Sequence, residues 1–155
     1  MPKGVHLRDV EAGDLPALYQ HQLEPEAINL AVVNPRTAEA FDAHWRKILS
    51  NPGVIAKAVM LDDTVVGHIS CFRADGQDEV GYWIARNHWG KGIATRALTL
   101  LLEQVTIRPL HATVARANAA SIRVLERCGF KVTGYQMAPA SERYPACEVA
   151  SFILT

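Results

Sequence analysis

Two glycines separate a β-rich run from an apolar helical pattern in the middle of the chain. Gly90 and Gly92 follow the run that ends near Ala85, and the periodic apolar residues begin at Ile93. Glycines let a backbone approach a ligand closely, and the first turn of a helix presents unpaired N–H groups at the positive end of its dipole. This arrangement predicts a binding site for a phosphate-bearing ligand.

Two common phosphate-binding motifs do not match this turn. A P-loop requires G-x-x-x-x-G-K-[ST], but Lys91 is followed by Gly92 and has no earlier glycine at the right offset. A dinucleotide fingerprint requires G-x-G-x-x-G, and Thr95 occupies the third glycine position. For the two glycines alone, an ordinary helix start with two flexible residues is the alternative interpretation.

A second polar pair precedes another short helical pattern. Asn118 is a residue type that caps helices, and Ser121 falls in the first turn of the helix that Asn118 would begin. Ser121 is therefore a candidate functional group, with a backbone hydrogen bond at the helix start as its alternative role. Gly129 provides a suitable end for this helix.

The elements that would position these residues follow in the order strand, two helices, three strands, helix, strand, helix, two strands. Asp14 and Thr37 are predicted to cap the first two helices. The strands are predicted at 5–10, 54–61, 64–73, 78–85, 111–116, 130–137 and 146–154. The expected fold class is therefore α/β (mixed α+β), in one domain of residues 1–155. Its mixed, mostly antiparallel sheet has about seven strands, flanked by about four helices.

Composition limits the classes of function. Hydrophobic residues make up 49% and charged residues 21% of the chain, which excludes a disordered protein. The three cysteines are widely spaced, which argues against a disulfide framework and indicates a cytoplasmic protein. Segment 1–10 carries charges where a signal peptide needs an apolar run, and no apolar run approaches the ~20 residues of a membrane span. Histidines and cysteines lack the spacing of metal ligands, so no metal is expected.

The charge distribution is more informative than the net charge. A net charge of zero argues against general nucleic-acid binding. Segment 86–131 holds eight basic and two acidic residues, which gives +6 there and leaves −6 for the remainder. One part of the molecule is thus suited to an anion and the other to a cation, with ordinary solvated charge as the alternative.

The segment around the glycines resembles the acetyl-CoA-binding motif of the GNAT N-acetyltransferase superfamily, [Arg/Gln]-x-x-Gly-x-[Gly/Ala] after a central strand. Gly92 and Ala94 occupy the two small positions, and Trp89 stands where most members carry Arg or Gln. The string Gly-Tyr-Trp-Ile…Trp-Gly-Lys-Gly…Ala-Thr is similar to the subgroup of ribosomal-protein N-terminal acetyltransferases. So is the second motif, Asn-x-x-Ser…Leu-x-x-x-Gly-Phe, from Asn118 to Phe130. The resemblance extends over the whole chain.

The resemblance implies a GNAT fold in which acetyl-CoA, as the acetyl-donor cosubstrate, lies in a splay between the central strand and its neighbour. The backbone of Ile84 and Arg86 would pair with the pantetheine arm, and Asn118 would bond the same region, beside Ser121. The backbone donors for the pyrophosphate would be Trp89, Gly90, Lys91, Gly92, Ile93, Ala94 and Thr95. Arg123 and Arg127 lie four residues apart, and we interpret them as a solvated helix face rather than phosphate ligands.

Acetyl transfer requires a deprotonated amine, a stabilised oxyanion and a proton for the leaving thiolate. A backbone N–H near Ile84 is the implied oxyanion donor. The tyrosine acid common in the superfamily falls at Leu125, and the resemblance assigns its role to Ser121. Glu79 at the start of the central strand is the candidate base. His68 is a second candidate, with a core or surface histidine as its alternative.

The acceptor is expected to be a primary amine, either of a small molecule or of a protein N-terminus. Charge asymmetry favours a cationic acceptor, and the C-terminal hairpin with Glu142, Tyr144 and Glu148 would shape its pocket. We expect direct transfer in a ternary complex, with no nucleic acid or membrane partner, in a monomer or homodimer. The alternative functions are a CoA-binding module without turnover, which the missing tyrosine at Leu125 favours, and a nucleotide-binding switch.

Overall fold

A central β-sheet carries helices on both faces in the computed structural model, which describes residues 4–155. Residues 1–3 of the charged N-terminal segment lie outside this range. The strands are β1 (Val5–Asp9), β2 (Ile55–Leu61), β3 (Thr64–Ala74), β4 (Gln77–Ile84), β5 (Leu110–Ala115), β6 (Lys131–Ala138) and β7 (Cys147–Leu154). The helices are α1 (Leu15–Gln22), α2 (Pro25–Ala31), α3 (Ala38–Ser50), α4 (Ile93–Gln104) and α5 (Ala119–Arg127). Short 3-10 turns occupy Ala12–Asp14 and Arg86–His88.

The seven strands form one sheet in the order β1-β2-β3-β4-β5-β7-β6. Neighbours are antiparallel except β4 and β5, which are parallel. The predicted mixed, mostly antiparallel sheet is therefore confirmed. In the turn between β3 and β4, Asp75 and Gly76 both have positive φ, as the tight hairpin turns that match strand twist require.

Strand alternation divides the apolar residues between two cores. Val59 and Ile69 face α4, whose residues Ala97 and Leu101 are fully buried, while Ala58 faces α1 and α3. Successive side chains of a strand point to opposite faces, so neighbouring residues join different cores. Helices thus hold the middle strands from both sides.

The sheet is incomplete between β4 and β5. These strands share a single partner pair, Glu79 with His111, whereas β3 and β4 share eight pairs and β5 and β7 share six. Beyond Glu79 the strands diverge, so their carboxyl-terminal edges are left open to a ligand. This opening is the predicted splay.

Two local features differ from the sequence-based predictions. Helix α2 was not expected; Glu24 caps it by accepting from the Glu26 N–H at 3.4 Å, and Pro25 begins it. The prediction that Asp14 caps α1 is wrong, because its carboxylate instead accepts from the Glu11 N–H at 2.8 Å and the Arg8 guanidinium at 2.7 Å. The caps Thr37 and Asn118 are confirmed, each accepting a backbone N–H at 3.2 Å.

Candidate active site

The opening between β4 and β5 continues into a cleft of about 380 Å³. Its walls come from the end of β4, the glycine turn with the start of α4, one side of α5, and α2. Predicted site residues that line it are Ile84, Trp89, Gly90, Gly92, Ile93, Ala94, Thr95, Asn118 and Ser121. Sequence motifs that lie at least 23 residues apart, the first ending at Thr95 and the second beginning at Asn118, therefore surround one cavity.

The glycine turn has the backbone geometry that its residue types predict. Gly90 and Gly92 have φ of 76° and 74°, in the left-handed region that costs other residues ~1–2 kcal/mol. Gly92 is the N-cap of α4, and no side chain caps this helix. The first N–H groups of α4 are therefore available to an anionic ligand in the cleft.

Trp89 fixes the turn onto the central strand. Its indole Nε1 donates to the Ile84 carbonyl at 2.8 Å, and its ring packs against the core on the α4 side of the sheet. The Arg86 guanidinium lies over this ring, 4.9 Å from its centroid, and Arg86 Nε also donates to the Glu26 carboxylate at 2.8 Å. Trp89 and Arg86 thus join the turn to both β4 and α2.

The backbone of Ile84 is directed into the opening. Ala85 donates its N–H to the Val66 carbonyl in β3 at 2.8 Å. Because backbone groups of successive strand residues point to opposite edges, the N–H and C=O of Ile84 point toward β5. The Ile84 carbonyl already accepts a hydrogen bond from Trp89. The N–H of Ile84 is therefore the backbone group that a ligand in the cleft would contact.

Ser121 has a partner that sequence reasoning missed. The Tyr82 hydroxyl lies 2.8 Å from Ser121 Oγ and 3.2 Å from the Ser121 carbonyl oxygen. Burial raises the pKa of Tyr82 to about 12, so the phenol is protonated near neutral pH. Leu125, at the position of the superfamily's usual tyrosine, is fully buried in the core. The alternation of β4, which places Tyr82 on the same face as Val80 and Ile84, is the signal that could have indicated its position.

Glu79 lies apart from the cleft. It is five residues before Ile84, about 17 Å along an extended strand, at the point where β4 and β5 pair. Burial and, secondarily, the Asp75 charge raise the pKa of its carboxyl, while His111 opposes them. The structure thus separates the two predicted catalytic residues, Glu79 and Ser121.

His68 lies on the opposite face of the sheet from Tyr82, paired with Trp83 across β3 and β4. The edge of its ring meets Trp45, with ring centroids 5.2 Å apart. Burial lowers the pKa of His68 to about 4, so the imidazole is neutral near pH 7. Trp83, which lines the cleft, separates His68 from Tyr82 and Ser121.

The charged side chains near the glycine turn do not all face the cleft. Arg86 and Lys91 do not line the cleft; Lys91 Nζ lies 3.4 Å from His88 Nδ1. Arg123 and Arg127, interpreted from the sequence as a solvated face, do line it. Both arginines belong to α5, the helix whose first turn carries Ser121.

Two cysteines, Cys71 and Cys128, lie in apolar surroundings. Burial raises the pKa of the Cys71 and Cys128 thiols, which makes them poorer nucleophiles near neutral pH. Within residues 4–155, no group of three or more His, Cys, Asp or Glu side chains is arranged to hold a metal ion. In the same range, no helix is both long and apolar enough to cross a membrane.

The chain belongs to the acetyltransferase (GNAT) domain family, which matches residues 5–131. A relative from Bacillus licheniformis, the uncharacterized N-acetyltransferase p20, is 27% identical over 141 residues, covering 83% of this chain and 79% of the relative. Spermidine N-acetyltransferase from Vibrio cholerae, solved with CoA and spermine, superposes with a TM-score of 0.83 at 18% identity, covering 97% of this chain and 95% of that chain. The ribosomal L7/L12 alpha-N-protein acetyltransferase RimL, solved with CoA, gives a TM-score of 0.80 at 19% identity, covering 98% and 94%. The predicted family is confirmed, and a ribosomal-protein acetyltransferase shares the fold.

Proposed function

We propose that this protein, as a single domain of residues 1–155, transfers the acetyl group of acetyl-CoA to a primary amine by direct attack in a ternary complex. One observation carries the proposal. A single cleft joins the open edge of β4 at Ile84, the uncapped start of α4 at Gly92, and the Ser121 hydroxyl. An extended amide chain, a pyrophosphate and a thioester require these three kinds of group respectively.

The proposed binding roles follow the walls of the cleft. The Ile84 N–H and the Asn118 side chain receive the pantetheine arm, together with backbone groups of Arg86. Backbone donors from 89–95 receive the pyrophosphate, and the Arg123 and Arg127 guanidiniums add positive charge from α5. Lys91 contributes through its backbone rather than its side chain.

The proposed reaction forms a C–N bond and breaks the C–S bond of the thioester. The neutral amine attacks the carbonyl carbon, and an N–H near Ile84 stabilises the resulting oxyanion. As the C–S bond breaks, Ser121 donates its proton to the leaving thiolate. Tyr82, protonated and 2.8 Å from Ser121 Oγ, holds this hydroxyl in place.

The base is proposed to be Glu79, acting through ordered water. The distance of about 17 Å from Ile84 along the strand excludes direct proton transfer to an amine at the thioester. The raised pKa of the Glu79 carboxyl makes it a better proton acceptor than an exposed glutamate. His68 is the second candidate, since its neutral imidazole lies beside Trp83.

Thermal unfolding with acetyl-CoA, followed by thiol-release assays, tests the function. We expect acetyl-CoA to raise Tm and one class of amine to release CoA, in a panel of amino acids, polyamines, aminoglycosides and short peptides with free N-termini. Stabilisation without turnover across the panel would favour the CoA-binding module. Stabilisation by ATP or NAD but not by acetyl-CoA would contradict the proposal.

A further inference from the structure

Five basic side chains gather on the face of the sheet opposite Tyr82, and we call them the basic cluster. Its members are His21, Arg36, His44, His68 and Arg143. The Trp45 ring lies 6.2 Å from the His44 ring and 5.2 Å from the His68 ring, measured between centroids, and Gln22, next to His21, bonds the Arg36 backbone. The charges of Arg36 and Arg143 act on both His44 and His68. These five residues come from α1, the loop before α3, α3, β3 and the loop between β6 and β7, so the fold brings them together.

The two arginines are half-buried without a compensating acid. Six ion pairs form within residues 4–155, and none of them includes Arg36 or Arg143. Burial lowers the pKa of both guanidiniums, and Arg36 lowers that of Arg143 further. Partly buried cations that repel one another are costly unless an anion compensates them.

The backbone that carries the arginines is held by hydrogen bonds. Gln22, itself 7% exposed, accepts the Arg36 N–H at 3.3 Å and donates to the Arg36 carbonyl at 2.8 Å. Asn34 donates its N–H to the Arg143 carbonyl at 2.7 Å, and Arg143 Nη1 donates to the Asn34 carbonyl. The arginines are therefore positioned before any ligand binds.

Trp83 connects the basic cluster to the cleft. Its side chain lines the cleft, its indole Nε1 donates to the His21 carbonyl at 3.0 Å, and its backbone pairs with that of His68. The next residue is Ile84, where the thioester is proposed to lie. Trp83 is thus the side chain that the cleft shares with the basic cluster, so a molecule bound at the cluster would reach the proposed thioester site past Trp83. The buried Nδ1 atoms of His21 and His68 have no hydrogen-bond partner within residues 4–155. The basic cluster therefore contains two polar atoms whose hydrogen-bonding capacity is not used.

We infer that Arg36 and Arg143 bind the carboxylate of an amino acid or related amino-carboxylic acid, and that its amine is the acetyl acceptor. A guanidinium matches a carboxylate with two parallel hydrogen bonds, and two such groups suit one planar anion. The inference rests on the proposed function. Among the acceptor classes considered there, it favours amino acids over polyamines and aminoglycosides.

Matched ligand pairs test the inference by calorimetry in the presence of CoA. The pairs are lysine with cadaverine and phenylalanine with phenethylamine, which differ by one carboxylate, and O-phosphoserine with serine, which adds a phosphate. We expect each amino acid to bind at least tenfold more tightly than its decarboxylated partner. Arg36→Gln and Arg143→Gln should remove the difference, whereas Arg46→Gln, which neutralises an exposed arginine of α3, should retain it.

Equal binding of the paired ligands, tighter binding of the amines, or no binding by any carboxylate would overturn the inference. Preference for the phosphate of O-phosphoserine over the carboxylates would overturn it as well. Failure of the proposed function is distinguished separately, because it would appear as the absence of a Tm shift with acetyl-CoA. Retention of that shift in Arg36→Gln and Arg143→Gln shows that the variants are folded.

Discussion

Among single residues, the chemistry depends most on the hydroxyl pair of Tyr82 and Ser121. A hydroxyl has one hydrogen to donate and two lone pairs to accept. Tyr82 has one hydrogen for two acceptors, Ser121 Oγ at 2.8 Å and the Ser121 carbonyl oxygen at 3.2 Å. When Tyr82 donates to Oγ, the hydrogen of Ser121 is free to point into the cleft. From the other side, Asn118 Oδ1 accepts the Ser121 backbone N–H at 3.2 Å. Three residues from two elements thus orient one proton.

Ser121→Ala should lower kcat by about 10²-fold or more, because it removes the group that protonates the thiolate. Acetyl-CoA affinity should stay close to that of the wild type, since the backbone donors of the glycine turn are unchanged. Steady-state thiol release and acetyl-CoA titration measure the two quantities. Ser50→Ala, at the exposed end of α3, is the control. An unaltered kcat in Ser121→Ala would remove Ser121 from the reaction.

Tyr82→Phe should also lower kcat, although the ring and its packing are retained. If Tyr82 acts through Ser121, the loss in the double variant with Ser121→Ala should equal that of Ser121→Ala alone, because contacting residues are not additive. The kcat values of both single variants and the double variant test this dependence. Additive losses would show that Tyr82 contributes independently of the serine.

At the scale of secondary-structure elements, the junction of β4 with α4 combines three local requirements. The strand edge must be open at Ile84, the chain must turn through positive φ at Gly90 and Gly92, and the helix must begin without a side-chain cap. Trp89 holds these parts together through its hydrogen bond to Ile84. Trp89, at the position where most family members carry Arg or Gln, thus stabilises the turn in this protein.

Gly92→Ala should weaken acetyl-CoA binding by about tenfold, corresponding to the ~1.4 kcal/mol strain of a left-handed alanine when the turn distorts to relieve it. Gly76→Ala is the matched control, because Gly76 has φ of 76° in the turn between β3 and β4 and open space around its Cβ position. Both variants should lose similar thermal stability, and only Gly92→Ala should lose affinity in a titration. Equal affinities for acetyl-CoA would contradict the assigned role of the turn.

Most element boundaries could be predicted from the sequence because their signals are local. Thr37, Asn118 and Gly129 act on the helix beside them, and the tight turn at Asp75 and Gly76 joins consecutive strands. Long-range contacts were not predictable in this way. Asp14 binds Arg8 instead of capping its helix, and Tyr82 meets Ser121 from 39 residues away. Strand alternation indicates the face on which Tyr82 lies, but no spacing in a single sequence specifies Ser121 as the partner of Tyr82 or Arg8 as the partner of Asp14.

At the scale of the whole molecule, net charge and local charge lead to different expectations for the acceptor. Segment 86–131 carries +6 and the remainder −6, which favours the approach of a cation to the remainder. The basic cluster nevertheless belongs to that acidic remainder. Summed charge governs long-range encounter, whereas contact specificity depends on the groups that the fold buries together.

Stability should fall as the pH decreases from 6.5 toward 4, because of the histidines of the basic cluster. Burial lowers the pKa of His68 and His44 to about 4, from the 6.5 of a free imidazole. Below pH 6.5 the unfolded chain binds protons that the folded protein does not bind until near pH 4. The stability present above pH 6.5 is therefore lost across this window, by about 3 kcal/mol for His68.

Urea unfolding at pH 7.5 and pH 4.5 measures this loss in the wild type and in His68→Gln. The glutamine does not titrate, so the difference in unfolding free energy between the two pH values should be smaller in this variant. His6→Gln on the exposed side of β1, distant from the basic cluster, is the control for the removal of a histidine. The paired carboxylates Asp9 and Asp14, whose pKa values are lowered by Lys57 and Arg8, stay ionised at pH 4.5 and so do not contribute to the difference. Equal losses in the wild type and His68→Gln would show that His68 is solvated in the folded protein, and the acceptor side of the sheet would then be open to water.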